Sequence, residues 1–554
     1  MLPAWFGPLA AAAGLVALSP RLQGAPLAER GAVASEHPLA TRAALEVLKQ
    51  GGNAVDAAIA AAFAAGVVSP TSSGLGGGGF AMVLRPNDAE PSILDFRETA
   101  PRGVSVEALE RRPLPYEERG HLIGVPGESA GLFELSRRFG KRAWATLAAP
   151  AVRLAGQGFP VGPHLARSLA GNAELARDKS LAQLFFPQGR AALEGRVVKN
   201  LPLSRTLARV AAEGPKAIYQ GAIATELVET ARSAGSALAQ SDLDDYAVKE
   251  RKALHVSFAG HEVYTMPPPS AGGLLLAETL GMLSASELGR LGYQSGAYQH
   301  LLAEAARSAF ADRFRYASDP DFTPVDTAKL LAPERLAAKR RALSLDRTHS
   351  LPLLVSEEHG THHIVVADST GMVVSLTTTV NRLFGAKLVA KNSGIVLNDE
   401  LDDFTLARDA KALGIAASPN APRAGARPVS SMTPTIALKD GRPVLAIGGS
   451  GGMAISTNVT QLVVARLVFG KSAEELTHQQ RFFVPLKGDT IWPEASAPPS
   501  LFEDLAYRGE RAKKAPDFAT AVQVLTRDGA LWQASADPRK HGAAADSSGE
   551  HKPE

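Results

Sequence analysis

Thr361 stands between Gly360 and the apolar run His362-His363-Ile364-Val365-Val366-Ala367. A threonine hydroxyl is a poor nucleophile unless a base lies beside it, and the nearest base it could use is its own α-amine. That amine exists only if the Gly360–Thr361 bond is cut. Composition alone leaves a threonine at a strand start structural. With no cysteine in the chain there is no thiolate nucleophile, thiolate metal site or disulfide, so covalent catalysis must use oxygen or nitrogen.

Glu357, Glu358, His359, His362 and His363 form the densest group of potential metal ligands, of a kind a metallohydrolase could use. On a strand, however, His362 and His363 point to opposite faces and do not easily share one ion. The preferred reading is strand and loop histidines, with no metal. The run Gly76 to Gly79 could be taken for a phosphate cradle, but no Gly-Lys-Ser/Thr follows it. A tight backbone turn against the core is expected instead.

These groups need a frame, and the texture of the chain suggests one. Pro38 to Lys49 and Ala54 to Val68 read as two helices, separated by Gly51-Gly52 with Asn53 as N-cap. The second is apolar nearly all round, hence buried; from Ala57 to Val68 it has 12 residues against roughly 20 needed to span a bilayer. Phe80 to Leu84 and Ile93 to Phe96 are strand-like. From about Ala130 to Leu345 the pattern is mainly helical. After that come two buried strand pairs, HHIVVAD with MVVSLTTTV and PTIALKD with RPVLAIGG, and a helix directly after Gly451-Gly452. Helices, paired buried strands and helices again predict a layered α+β or α/β sandwich.

The 554 residues carry 59 basic and 56 acidic side chains, well mixed, which offers no basic stripe for nucleic acid. Small-molecule partners are expected. Residues 1–25 hold an apolar stretch, Leu9 to Leu18, similar to the core of a secretory signal but without a basic start. A signal or disordered N-terminus is expected there, and with it a periplasmic or secreted protein. Residues 541–554 are small, polar and charged and read as a disordered tail.

A series of fragments in order closely resembles the γ-glutamyltranspeptidase family of N-terminal nucleophile hydrolases. They are QGGNAVDAAIAAAF, GLGGGGF, LDFRETAP, GVPG, MPPPSAGG and DPDF, then Thr361 with His363, TTTVNRLFG, SGIVLNDELDDF, RPVSSMTPT, GGSGG and ADPR. The resemblance implies a four-layered αββα sandwich, autocatalytic cleavage at Gly360–Thr361, a large subunit (30–360) and a small catalytic subunit (361–540) sharing one body. It implies Thr361 as nucleophile, Thr379 as the second threonine assisting it, and Gly451 and Gly452 as the oxyanion hole. It also implies an α-carboxylate held by Arg97, Ser430 and Ser431, and an α-ammonium held by Asn381, Glu400 and Asp403. The reaction implied is hydrolysis or transfer of the γ-glutamyl group of glutathione and related compounds, with water or an amino-acid or peptide amine as acceptor, and no cofactor or metal. Two alternatives stay open: an acylase for a β-lactam acyl or poly-γ-glutamate substrate, and an unprocessed inactive binding homologue. The sequence departs from the family pattern at Met453-Ala454, at Val365, and between Phe404 and Arg427, where an aromatic lid residue is missing.

Overall fold

Asn53 begins the second helix as read from the sequence: its side chain accepts the Asp56 N–H, and the Asp56 carboxylate accepts the Asn53 N–H in return. The computed structural model, which describes residues 31–350, 359–485, 488–515, 520–546 and 549–551, places α1 at Pro38–Lys49 and α2 at Ala54–Val68. Alanines on every side of α2 let it sink against the sheet beneath it, and all but one of its residues are buried.

Two antiparallel sheets lie at the centre. The first sheet runs in the order β14-β13-β1-β7-β8-β2-β3-β4. Its strands are β1 (Ala32–Ser35), β2 (Gly78–Leu84), β3 (Ser92–Phe96), β4 (Lys249–Lys252), β7 (His359–Ala367), β8 (Val373–Arg382), β13 (Ala543–Asp546) and β14 (Gly549–His551). The second runs β12-β11-β10-β9-β6-β5. It is built from β5 (Leu254–Phe258), β6 (His261–Thr265), β9 (Thr435–Lys439), β10 (Arg442–Ser450), β11 (Ala521–Asp528) and β12 (Leu531–Ala536).

Strand alternation sorts β7 between two cores. Ile364 and Val366 join the core under α1 and α2, while Val365 and Ala367 join Ile436, Ile447 and Val524 between the sheets. Helix α4 (Ala271–Met282), α5 (Gly296–Tyr316) and α6 (Ala454–Phe469) cover the far side of the second sheet. The expected α+β αββα layering is therefore present. Among the described residues no helix is long and apolar enough to cross a membrane.

Two expectations need correction. The span read as mainly helical contains β4, β5 and β6: β4 and β5, KERK and LHVSF, are edge strands, β6, HEVYT, pairs between β5 and β9, and the charged and mixed sequences of all three leave apolar alternation weak. The segment 541–554 is not simply a disordered tail. Ala543, Ala544 and Ala545 form β13 against β1, paired Val33 to Ala545, and are buried. Small alanines fit flat between strands, and composition placed them in a disordered tail. Residues 1–25 lie outside the described residues, as do Glu357 and Glu358.

Candidate active site

Thr361 and Thr379 face each other across β7 and β8, with their hydroxyl oxygens 3.3 Å apart. The Thr379 hydroxyl donates to the Gly360 carbonyl at 2.9 Å and accepts the Asn381 N–H at 2.9 Å. Since its single proton goes to that carbonyl, Thr361 is the donor between the two hydroxyls. A β-bulge between Thr379 and Asn381 shifts the register, and Asn381 takes a φ of 72°, a left-handed conformation that asparagine tolerates. The bulge keeps Thr379 and Asn381 on one pocket wall.

That pocket holds about 200 Å³ and is lined by Thr361, Thr379, Arg97, Asn381, Glu400, Asp403, Ser430, Ser431 and Gly452. Nine of the ten residues singled out from sequence thus meet in one cavity. The tenth, Gly451, is the neighbour of Gly452 at the turn from β10 into α6; their φ values of 117° and 60° demand glycine. Amide N–H groups at such a turn, ahead of a helix, suit a developing oxyanion.

The glycine run packs as a close backbone approach. A Cβ on Gly77 would sit 1.9 Å from the Thr379 carbonyl oxygen, so β2 can reach β8 only without a side chain there. The MPPPSAGG segment packs against the serine pair: Ser430 N–H donates to Pro269, Ala271 N–H donates to Ser430, and Ser270 Oγ donates to Met432.

The charge set is connected before any substrate enters. Arg97, 1% exposed, pairs with Glu400 and, at 2.6 Å, with Asp403, and its Nε donates to Pro428. Burial opposes the guanidinium charge, but Glu400 and Asp403 outweigh it and hold the Arg97 pKa above its ordinary value. Burial also pushes Glu400 well above the usual carboxylate range against the pull of Arg97, and raises Asp399 to about 7. Asp402, not expected to touch substrate, is taken by Arg112 at 2.9 Å and Arg382 at 2.6 Å.

The structure adds residues that sequence reasoning missed. Arg313 on α5 is buried, lines the pocket, donates to the Ser430 carbonyl and forms no ion pair among the described residues; burial lowers its pKa to about 10. Its place in a long helix gave no signal. Asn420 ties Asp403 to Val429. Lys540, adjoining the ADPR fragment and first read with its polar surroundings, donates to Ser450 Oγ at 2.7 Å and to the Thr361 carbonyl at 3.4 Å, and pairs with Glu36 at 3.2 Å.

His362 and His363 diverge as strand geometry requires. His363 lies between the sheets beside Thr377 and Ser375, whereas His362 faces the helical side. Among the described residues no three His, Asp or Glu side chains are grouped to hold a metal ion.

A strand-borne threonine facing a second threonine, a glycine turn and a pocket lined by an arginine and carboxylates occur together on this αββα frame. The gamma-glutamyltranspeptidase family model matches residues 40–547. The chain belongs to that family. A glutathione hydrolase proenzyme of Pseudomonas aeruginosa is 34% identical, covering 98% of this chain and 99% of its own length. One from Bacillus subtilis is 32% identical, covering 93% of this chain and 91% of its own. A cephalosporin acylase from Bacillus halodurans superposes with a TM-score of 0.84 at 25% identity, over 98% of this chain and 99% of that one. Gamma-glutamyltranspeptidase membership accounts for the order of the motifs along both halves of the chain.

Proposed function

We propose that this chain is a glutathione hydrolase and γ-glutamyltransferase, made as one precursor and cleaved between Gly360 and Thr361. The observation that carries the reading is a single pocket lined by Thr361, by the buried Arg97 and Glu400, and by the half-buried Asp403. A cation and carboxylates at fixed separation suit the zwitterionic end of a γ-glutamyl group, whose γ-carbonyl then falls at the hydroxyl.

In the cleaved protein the Thr361 oxygen attacks the γ-carbonyl carbon while its α-amine takes the hydroxyl proton. The oxyanion is held by the amides of Gly451 and Gly452. The C–N bond breaks as the departing amine receives the proton, leaving a γ-glutamyl ester on Thr361. Water, or an amino-acid or peptide amine, attacks the ester and releases Thr361 with its proton restored. Arg97, with Ser430 and Ser431, serves the α-carboxylate; Asn381, Glu400 and Asp403 serve the α-ammonium.

The likeness to a cephalosporin acylase favours one second reading, an acylase for another side chain. A purely apolar acyl group would leave Arg97, Glu400 and Asp403 with nothing to read, which supports the γ-glutamyl substrate. The test is a denaturing gel with N-terminal sequencing, alongside hydrolysis of γ-glutamyl and glutaryl anilides. Two chains, the smaller beginning at Thr361, and preference for the γ-glutamyl compound are expected. Preference for glutaryl anilide would hand the assignment to the acylase. Thr361→Ala is expected to stay uncleaved and inactive.

Residues 1–25, with their apolar run, support export as a further part of this proposal; mass spectrometry of the mature N-terminus checks it, and retention of Met1 on a cytoplasmic enzyme would end it.

A further inference from the structure

The face of β7 opposite the nucleophile holds a second and larger cavity, of about 440 Å³, separated from the active-site pocket by the sheet itself. His362, the residue after Thr361, forms part of its lining. Its side chain is 1% exposed, and its Nε2 is buried without a hydrogen-bond partner among the described residues. The Nε2 of His164, which also lines the cavity, is likewise buried and without a partner among the described residues. A buried polar nitrogen left unpaired costs about 1–3 kcal/mol, a cost that a ligand entering this cavity can relieve.

Two helix N-termini open on the same space. His37 caps α1, and α3 (Pro163–Ala170) starts at Gly162, which provides no side-chain cap. They converge closely: a Cβ on Gly162 would lie 3.6 Å from His37 Nε2. His37 Nδ1 accepts the Leu39 N–H, so the neutral ring carries its proton on Nε2 and can donate. The first amides of α1 are taken by His37, so it is the uncapped amides at the start of α3, with the helix dipole behind them, that favour an anion.

The remaining lining decides which anion. Lys540 is already paired with Glu36, and the rim residues Arg42 and Glu194 are of opposite sign. The charged side chains of the lining, Lys540 and Arg42 against Glu36 and Glu194, sum to zero, which does not suit a dianion. Leu39, Val68, Val161 and Leu165 make the other wall apolar.

We propose that this cavity is a binding site for an organic monocarboxylate with an apolar body. Its carboxylate rests at the α3 N-terminus and accepts hydrogen bonds from the imidazoles of His362, His164 and His37.

The test is calorimetric titration of the processed enzyme with acetate, hexanoate, octanoate, octanol and inorganic phosphate at neutral pH. Octanoate is expected to bind saturably at one site, at least about tenfold more tightly than acetate, octanol or phosphate. His362→Phe removes a donor and fills space, and should weaken octanoate by at least about tenfold. Leu165→Trp blocks the apolar wall without touching β7 and should do the same while γ-glutamyl hydrolysis continues, which covers the case in which the first variant fails to fold. Absence of saturable octanoate binding, equal binding of octanol, preference for phosphate, or octanoate binding indifferent to Leu165→Trp would each overturn the assignment.

Discussion

The Thr379 hydroxyl donates to the Gly360 carbonyl across 2.9 Å, so a side chain on one strand holds the peptide group that joins Gly360 to Thr361 on the next. The bond polarises the carbonyl that must become a tetrahedral oxyanion if the precursor is to cleave itself. Thr379→Val keeps the shape and removes the donor. Loss of one such donor costs on the order of 10²-fold in rate. Time courses on denaturing gels should show cleavage slowed by about that factor, with Thr379→Ser largely restored. A valine variant that matures at the wild-type rate would remove Thr379 from the cleavage step.

Arg97 is expected to carry substrate recognition, but its removal also strands two carboxylates. Arg97→Ala should reduce kcat/KM for a γ-glutamyl anilide at least about tenfold and lower Tm as well, because breaking a buried ion pair leaves an uncompensated charge. Asp403→Asn separates the two effects. Its side chain is a quarter exposed, so Tm should change little while γ-glutamyl turnover still falls. Both variants should cleave at Gly360–Thr361, since that step needs no free amino acid. Unchanged kcat/KM in Asp403→Asn would argue against an ammonium contact.

Arg313 tests what the sequence did not announce. A buried guanidinium facing the pocket without an ion-pair partner among the described residues is suited to a second carboxylate on the substrate, such as that of a departing peptide. Arg313→Met should raise KM for glutathione, which has such a carboxylate, while a γ-glutamyl anilide without one is affected far less. Equal effects on both compounds would place Arg313 in support of Ser430 instead.

How the site was legible follows from how its parts are encoded. Gly77, Gly451 and Gly452 are written plainly because no other residue fits a carbonyl 1.9 Å from its Cβ position or a φ of 117°. The strand pair bearing Thr361 and Thr379 is legible because both its faces are buried and its apolar run is continuous. Arg313, Asn420 and Lys540 are not, since each reaches the site from an element whose local pattern says only helix, loop or polar tail. Strand β13 was hidden for a related reason: its partner β1 lies some 500 residues away, and three alanines carry no β signal of their own.

Glu128 gives a pH test of the buried layer behind the site. Burial raises its carboxyl to about 8, with Glu98 adding to the rise and the Gly74 N–H opposing it. In the unfolded chain it titrates near its ordinary 4.5. The stability tied to the protonated form is fully present below that value and is lost as pH rises toward 8. Glu128→Gln mimics the protonated carboxyl at every pH. Its stability relative to wild type should therefore grow by at least about 1 kcal/mol between pH 5.5 and 8.5, read from urea midpoints. A difference independent of pH would mean that Glu128 is ionised in the folded protein.

Lys540 joins β7 to the glycine turn. Its ammonium contacts the Thr361 carbonyl on β7 and the Ser450 hydroxyl immediately before Gly451, and Glu36, its ion-pair partner, accepts the His363 N–H. Two roles follow. As a clamp it fixes the distance between attacking oxygen and oxyanion donors; as a buried cation it disfavours protonation of the Thr361 α-amine, which must be neutral to act as base. Lys540→Met alone leaves the Glu36 charge buried and should cost about 3–5 kcal/mol of stability. Adding Glu36→Gln removes that charge, so the double variant should recover most of the stability. The clamp predicts that kcat in the double variant nevertheless stays at least about tenfold below wild type, because Ser450 and Thr361 are no longer bridged. The field predicts that the acidic limb of kcat/KM moves to higher pH in Lys540→Met, where a positive charge is gone and a negative one remains, and returns toward wild type in the double. A double variant with full kcat would dismiss the clamp, and an acidic limb that does not move in Lys540→Met would dismiss the field.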